Sequence, residues 1–435
     1  MPTRRVPILA DEYTIVAESP DPENVYTASP GLVRLESGRL IATTDFRGPG
    51  MAENPEYRAI QPLIEKHRFV IKSPLVGKVC VSDDNGRTWT ERASLAFFHA
   101  RPFVAGDCVY IIGHMGDLVI YRSRDEGDIW EGPFLLSEGQ LWHQAPCNVH
   151  HANGRVYLVM ERKTDPECRY WPVGVLAPVL MSARAGDDLT RRESWEFSNE
   201  LTVREDVGEP ELIGVPFYDV GPTAEHAHGR RHMAPIGWLE TNVVQFTDPS
   251  HVWFDPDGRT FHLWMRAHTG MTGYACILKV VEDEKGGLHA GFERAPSGRK
   301  IVYVPCPGGQ MKFHILYDER TRLFWLLSTL ATDSMTRPEC LSEERYNLPN
   351  NERRILALHF SRNCMDWCMA GIVARGDREN HSRHYASMAF SGEDLVVLSR
   401  SSDARALPSN PSRRCHDGNV ITCHLVKNFR DLVYI

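Results

Sequence analysis

Ser82-Asp83-Asp84-Asn85-Gly86-Arg87-Thr88-Trp89 is the stretch that decides the fold. It reads S-x-D-x-G-x-x-W, and Ser123-Arg124-Asp125-Glu126-Gly127-Asp128-Ile129-Trp130 repeats it in full. Degenerate copies run from Ser182 to Asp188 and from Ser361 to Trp367. The residue types belong to a strand-turn-strand element. Short Ser and Asp side chains satisfy turn amides, Gly supplies a positive φ, and Trp packs between neighbouring sheets. Working outward, β-hairpins recur as an apolar run, a polar turn and a second apolar run. The pairs are Gly31–Leu35 with Gly38–Ala42, Pro102–Val104 with Cys108–Ile112, and Asn148–His150 with Arg155–Val159. Val252–Phe254 with Thr260–Trp264, Phe313–Leu316 with Leu323–Leu327, and Ser387–Phe390 with Leu395–Leu398 complete the set. A recurring unit of this kind outranks local propensity in deciding the fold.

These turns are Asp-boxes, and with the hairpins the chain resembles the Asp-box (BNR-repeat) β-propellers of the sialidase-like superfamily. The resemblance implies an all-β propeller occupying residues 1–435 as a single domain. Seven blades of about 62 residues is the preferred count, and six of about 72 also fits. The seventh blade is expected in the interval from Val159 to Val252, which contains Gly237-Trp238-Leu239-Glu240-Thr241-Asn242-Val243-Val244. The C-terminal strand Asn419–Leu425 is expected to pair with N-terminal segments and close the ring, removing a free edge.

Composition excludes several classes. Hydrophobic residues make up 42% and charged residues 24% of 435, against a disordered chain. No apolar run reaches the ~20 residues of a membrane helix. A net charge of −8 gives no basic footprint for nucleic acid. Met1-Pro2-Thr3-Arg4-Arg5-Val6-Pro7-Ile8 lacks the apolar core of an export signal. The eleven cysteines follow no disulfide or zinc spacing and are expected as mostly buried thiols. A cytoplasmic location follows, unless the N-terminus has been trimmed. His226-x-His228 and His381-x-x-His384 lack an evident third ligand. No cofactor is required; a structural divalent cation is the one addition the sequence leaves room for.

In the superfamily the Asp-boxes lie at one end of the barrel and ligand sites at the other. That end is built by loops leading into the first strands and by loops following the second strands. The first group holds Tyr26, His99, Arg101, His143, Gln144, His251, Gln310, Lys312, Arg383, His384, Tyr385, His416, Asp417 and Asn419. The second holds Asp45, Arg47, His114, Arg162, Lys163, Arg266, His268 and Arg400. The sum is basic and histidine-rich on an acidic chain, which points to an acidic oligosaccharide or polysaccharide as ligand.

Sialidases that this chain resembles carry an Arg-Ile-Pro motif at the first inner strand and a Tyr/Glu nucleophile pair. Here the stretch is Tyr26-Thr27-Ala28-Ser29-Pro30, without the arginine, and no such pair stands out. The site pattern is more similar to propeller lyases of the L-rhamnose-α-1,4-D-glucuronate bond, the ulvan-lyase type. That likeness implies His143 as an acid–base group, Arg162 and Lys163 as a following basic element, and Arg266 at the carboxylate. The tyrosine such lyases place before this arginine is replaced by the neighbourhood of His251. His251, Tyr385 and Tyr274 therefore stand open as the acid. Arg47, His99, Arg101, His114, Lys312, His268, His384, Arg400 and His416 are expected to bind substrate. β-Elimination at a uronate suits this inventory: cations stabilise the charge that develops, and a neutral His or Tyr moves the proton. The alternatives are a sialidase-like exo-glycoside hydrolase using Asp45 and Asp417, and a non-catalytic glycan-binding propeller.

Overall fold

The computed structural model describes residues 8–169, 171–212, 236–342, 345, 350–406 and 415–435. Antiparallel sheets in chain order form six blades. Blade 1 contains Tyr26–Thr27 and Gly31–Arg34 as a broken first strand, then Leu40–Arg47, Leu75–Ser82 and Thr90–Leu95. Blade 2 contains Phe98–Ala105, Cys108–Met115, Asp117–Ser123 and Glu131–Leu135. Blade 3 begins with the broken strand Trp142–His143 and His150–Ala152, followed by Arg155–Lys163, Leu176–Arg184 and Trp195–Phe197. Blade 4 is Gly237–Val244, Thr260–His268, Tyr274–Glu282 and Leu288–Gly291. Blade 5 is His314–Asp318, Leu323–Thr329, Ile355–Ser361 and Cys368–Arg375. Blade 6 joins Arg383–Ser391, Asp394–Ser401 and Val420–Val426 to Tyr13–Glu18, which pairs with Val420–Val426 in the register Tyr13↔His424.

Six replaces the preferred seven, and one misread hairpin explains the difference. Val252–Phe254 is not a strand: Val252 lies in a turn and is 88% exposed. The first strand of blade 4 is Gly237–Val244, the segment expected to supply an additional blade. His226 and His228 lie outside the described residues.

The strands are short and their turns carry the expected chemistry. Asn153-Gly154, both at positive φ, joins His150–Ala152 to Arg155–Lys163 as Asn-Gly does in a tight hairpin. Strands such as Leu40–Arg47 are buried along nearly their whole length, because each sheet is covered on both faces by its neighbours. The core is accordingly divided among the blade interfaces. Ile41, Val79, Phe97 and Ile111 fill blades 1 and 2. Phe103, Ile112, Leu158 and Met181 fill blades 2 and 3. Leu180, Leu263 and Leu278 fill blades 3 and 4. Trp264, Ile277, Ile315 and Leu326 fill blades 4 and 5. Leu327, Leu358, Met388 and Val397 fill blades 5 and 6, and Leu40, Cys80, Leu398 and Cys423 close the ring between blades 6 and 1.

The S-x-D-x-G-x-x-W turns link third to fourth strands. In blade 1, Ser82 Oγ accepts from the Gly86 N–H at 2.9 Å, and Asp84 accepts from the Thr88 N–H at 2.9 Å. Trp89 Nε1 donates to Gly86 O at 3.1 Å, and its ring packs on the blade 6–blade 1 cluster. Blade 2 repeats the bonds with Ser123, Asp125, Gly127 and Trp130. First strands surround the axis: the Asn148 amide donates to Val243 O and Ile315 O, and Ser387 Oγ to Pro30 O. Cys80, Cys147, Cys276, Cys306, Cys364 and Cys423 are buried thiols. Among the described residues, no helix is long and apolar enough to cross a membrane.

Candidate active site

At the end of the ring opposite those turns, a cavity of about 750 Å³ opens over the axis. Three alternate blades enter it through the same backbone device. The first strands of blades 2, 4 and 6 are interrupted by register shifts between Phe98 and Arg101, Leu239 and Asn242, and His384 and Ser387. The displaced residues His99, Glu240 and Tyr385 adopt φ of 48°, 60° and 49°. Such a conformation is unfavourable for these side chains, and bulges that re-aim a side chain are typical of functional sites. All three residues line the cavity.

Tyr385 stands among guanidiniums. Its hydroxyl accepts from Arg266 Nη1 at 2.8 Å, and the Arg353 and Arg400 carbons lie 5.5 and 5.4 Å from its ring centroid. Arg266 Nε donates to Gln310 O at 2.8 Å, and Nη1 also faces Glu240 at 3.3 Å. Burial alone would depress the Arg266 guanidinium; the Tyr385 oxygen and Glu240 outweigh it, and the net shift is upward. Glu240 and Tyr385 thus meet at one guanidinium nitrogen.

Arg47 and Arg400 share Asp417, at 3.3 and 3.2 Å, and His416 Nδ1 lies 2.8 Å from the same oxygen. Burial raises the Asp417 carboxyl, but His416 and the two arginines reverse this and hold it well below its usual range. Arg353 differs. It is buried, donates to Asn351 Oδ1 at 2.9 Å and faces His384 Nδ1 at 2.8 Å. No carboxylate among the described residues pairs with it.

The opposite flank carries three imidazoles, His99, His114 and His143, with centroids 6.3–6.4 Å apart. Burial, then the neighbouring cations, pushes His99 well below its ordinary value, and burial with His143 and Lys72 pushes His114 down to about 3. Both are neutral at physiological pH. His143 Nδ1 lies 3.5 Å from Glu161 Oε2, while Thr241 N and Oγ1 donate to Glu161 Oε1 at 3.1 and 3.0 Å. Glu161 is held in place by Thr241 and faces the imidazole, with no hydrogen bond between Nδ1 and Oε2.

The cavity brings together His143, Arg266, Tyr385, Arg47, His99, His114, Lys163, His268, Arg400 and His416. Lys163 spends its ammonium on Pro166 O and Cys168 O. The remaining expected residues lie elsewhere. His251 follows the far end of Gly237–Val244, away from the cavity, and stacks on Phe246 at 3.8 Å. Arg101 is buried on the axis beneath the cavity, bonded to Gln144 Oε1, Asn148 O and Val159 O. Lys312 is also axial, donating to Ala386 O and Ser387 Oγ, and burial lowers its ammonium to about 8. His384 is buried behind Arg353, and Arg162 lies over the Trp142 ring at 5.8 Å, outside the lining. Asp45 and Asp417 are both fully buried and do not line the cavity. Burial pushes the Asp45 carboxyl up to about 7 despite Arg47, the His99 N–H and Arg400.

Glu240, Glu161 and Arg353 have no place among the expected site residues. Glu240 becomes legible once Gly237–Val244 is read as a first strand. Arg353 closes the long connection between Leu323–Thr329 and Ile355–Ser361, and no motif marks it. Among the described residues, no group of three or more His, Cys, Asp or Glu can hold a metal ion.

No protein-family model matches the sequence, and no curated protein matches it. Solved structures do. A protein of unknown function from Dyadobacter fermentans is 13% identical with a TM-score of 0.51, over 96% of this chain and 98% of that one. The intramolecular trans-sialidase of Ruminococcus gnavus, solved with oseltamivir carboxylate, is 12% identical with a TM-score of 0.51, over 97% and 98%. The α-L-arabinanase of Penicillium chrysogenum, solved with arabinobiose, is 11% identical with a TM-score of 0.50, over 98% and 99%. These likenesses show a shared fold, the β-propeller.

Proposed function

We propose that the protein is a carbohydrate-active enzyme that cleaves the glycosidic bond of a carboxylate-bearing sugar. The observation that carries this reading is Arg353: a buried guanidinium on the cavity wall, with no carboxylate partner among the described residues, beside Tyr385 and Arg266. A buried charge left unbalanced is costly, and an anionic substrate group offsets it. The R. gnavus trans-sialidase, solved with a carboxylated ligand, supports the reading by analogy of fold.

Tyr385 is the nucleophile in this scheme. Its oxygen bonds to the anomeric carbon as the glycosidic C–O bond breaks, and its proton passes to Glu240. Arg266 meets the negative charge that develops on the phenolic oxygen. His143, which faces Glu161, protonates the departing oxygen and then deprotonates the water that releases the sugar. Tyrosine serves this role in sialidases in place of a second carboxylate.

A second reading keeps the same groups for β-elimination at a uronate, in a rhamnose–glucuronate type linkage. The histidine-lined flank favours it, since His143 or Tyr385 then takes the C5 proton while Arg266 and Arg353 neutralise the carboxylate. The test incubates the protein with sialosides and with glucuronate glycans, following reducing ends and ultraviolet absorbance. Reducing ends without absorbance, abolished about 10³-fold or more by Tyr385→Phe, support hydrolysis. Rising absorbance transfers the assignment to elimination. Binding without either leaves a glycan-binding propeller and overturns the enzyme reading.

A further inference from the structure

The cavity is divided by chemistry. The Arg47, Arg266, Arg353 and Arg400 side is cationic, whereas the side beyond His143 carries Val70, Ile71, Met115, Leu141 and Trp171, with Phe98 between the two, 5.5 Å from the Arg47 guanidinium. Trp171 meets His143 edge-on at 6.1 Å and 90°, so the apolar wall begins at the imidazole assigned to the departing oxygen. The wall is built in advance. The Val70 N–H donates to Met115 O at 2.9 Å, and a Cβ on Gly116 would come within 3.0 Å of Val70 Cβ, so this loop is packed down on blade 2. Phe98 lies over His99 at 3.8 Å and meets His114 at 5.4 Å. Among the described residues His99 Nδ1 and His114 Nε2 have no hydrogen-bond partner, and both atoms are buried. Lys72 and Arg169 are exposed, Lys72 near enough to His114 to lower it, and Lys163 spends its ammonium on carbonyl oxygens.

We infer that the leaving-group side of the site is built for an aglycone that presents apolar surface, a deoxy sugar or an aryl group, and not a hydroxyl-rich hexose. The inference rests on the glycosidase reading above, because that reading identifies which half of the cavity receives the leaving group. A wall of aliphatic and aromatic carbon rewards a methyl or ring face and leaves most hydroxyls of a hexose desolvated without partners.

The experiment compares benzyl, rhamnosyl, glucosyl and methyl glycosides of glucuronic acid and of sialic acid. Benzyl, rhamnosyl and glucosyl alcohols leave with similar ease, so their kcat/KM ratios report aglycone recognition. We expect benzyl and rhamnosyl glycosides to exceed glucosyl ones by roughly tenfold or more. Trp171→Ala should collapse that ratio. Val70→Asp, at a side chain 62% exposed and therefore tolerant of charge, should collapse it independently if Trp171→Ala fails to fold. A benzyl-to-rhamnosyl ratio far from one tells the aryl from the deoxy-sugar source. Glucosyl glycosides cleaved as well as the others, or a ratio untouched by Val70→Asp, would overturn the aglycone inference alone. Cleavage of no glycoside, the methyl ones included, would overturn the glycosidase reading and this inference with it.

Discussion

Replacing Asp45 by asparagine tests the electrostatics beneath the cavity. The carboxyl is fully buried; among the described residues only one of its oxygens has a hydrogen-bond partner, the His99 N–H at 3.1 Å. Burial, against Arg47, the His99 N–H and Arg400, raises it from 3.8 to about 7. At about 1.4 kcal/mol per unit, the folded protein holds this proton about 4 kcal/mol more tightly than the unfolded chain does. The sign follows from the raised value. The stability contributed is complete below about pH 4 and is lost progressively as pH rises through 7. Integrated between pH 5 and pH 8, the loss is about 2–3 kcal/mol. Asparagine has no proton to release. Guanidinium denaturation at intervals from pH 5 to pH 8 should therefore show the difference between variant and native protein moving by that amount in favour of Asp45→Asn. A difference that stays flat, or moves the other way, refutes the reasoning. Turnover gives a second readout. A carboxyl outside the cavity wall should cost less than tenfold, about 1.4 kcal/mol in barrier, when neutralised; a loss above about 10³ would revive Asp45 as a catalytic carboxylate.

Three other substitutions probe separate parts of the molecule. Arg353→Gln should raise KM for a carboxylated substrate about 10–100-fold, the value of a charge-assisted contact, and Arg353→Lys should not restore it because the planar fork is lost. His143→Gln should lower kcat about 10²–10⁴-fold on unactivated glycosides, and much less on a p-nitrophenyl substrate that needs no acid. Trp89→Ala removes the bond to Gly86 O and the packing against Leu40, Cys80 and Cys423, and should lower stability by about 2–4 kcal/mol in a denaturant titration.

Repetition made the fold legible, and interruption hid parts of the site. Ser82–Trp89 and Ser123–Trp130 form the hydrogen-bonded turns that their residue types imply. Blade 4 was obscured because Glu240, Thr241 and Asn242 are polar residues inside a fully buried strand. Their partners are Arg266, Glu161 and Ile315, all distant in sequence, so no local pattern announces a strand. Val252-Trp253-Phe254 misled in the opposite sense: apolar residues held in turns, where Asp248 and Asp255 accept backbone N–H groups on either side. Position relative to the mouth selects His99, His114, His143 and Arg266, which line the cavity because each lies where a first strand begins or a second strand ends. The same rule overreached at Arg101 and Lys312, which point into the axis one step deeper. It passed over Arg353 because a residue ahead of a third strand follows neither position.

The clasp between Tyr13–Glu18 and Val420–Val426 joins segments about 400 residues apart in sequence. During synthesis at about 5–20 residues per second, the early strand waits roughly 20–80 s for its partner to be made. Through that interval Tyr13 and Ile15, half-exposed even in the finished ring, are free to meet other chains. Biosynthesis thus has an order imposed by geometry: five blades can assemble as they emerge, while the sixth waits on its last strand. Ring closure is therefore the last step in assembling the six blades.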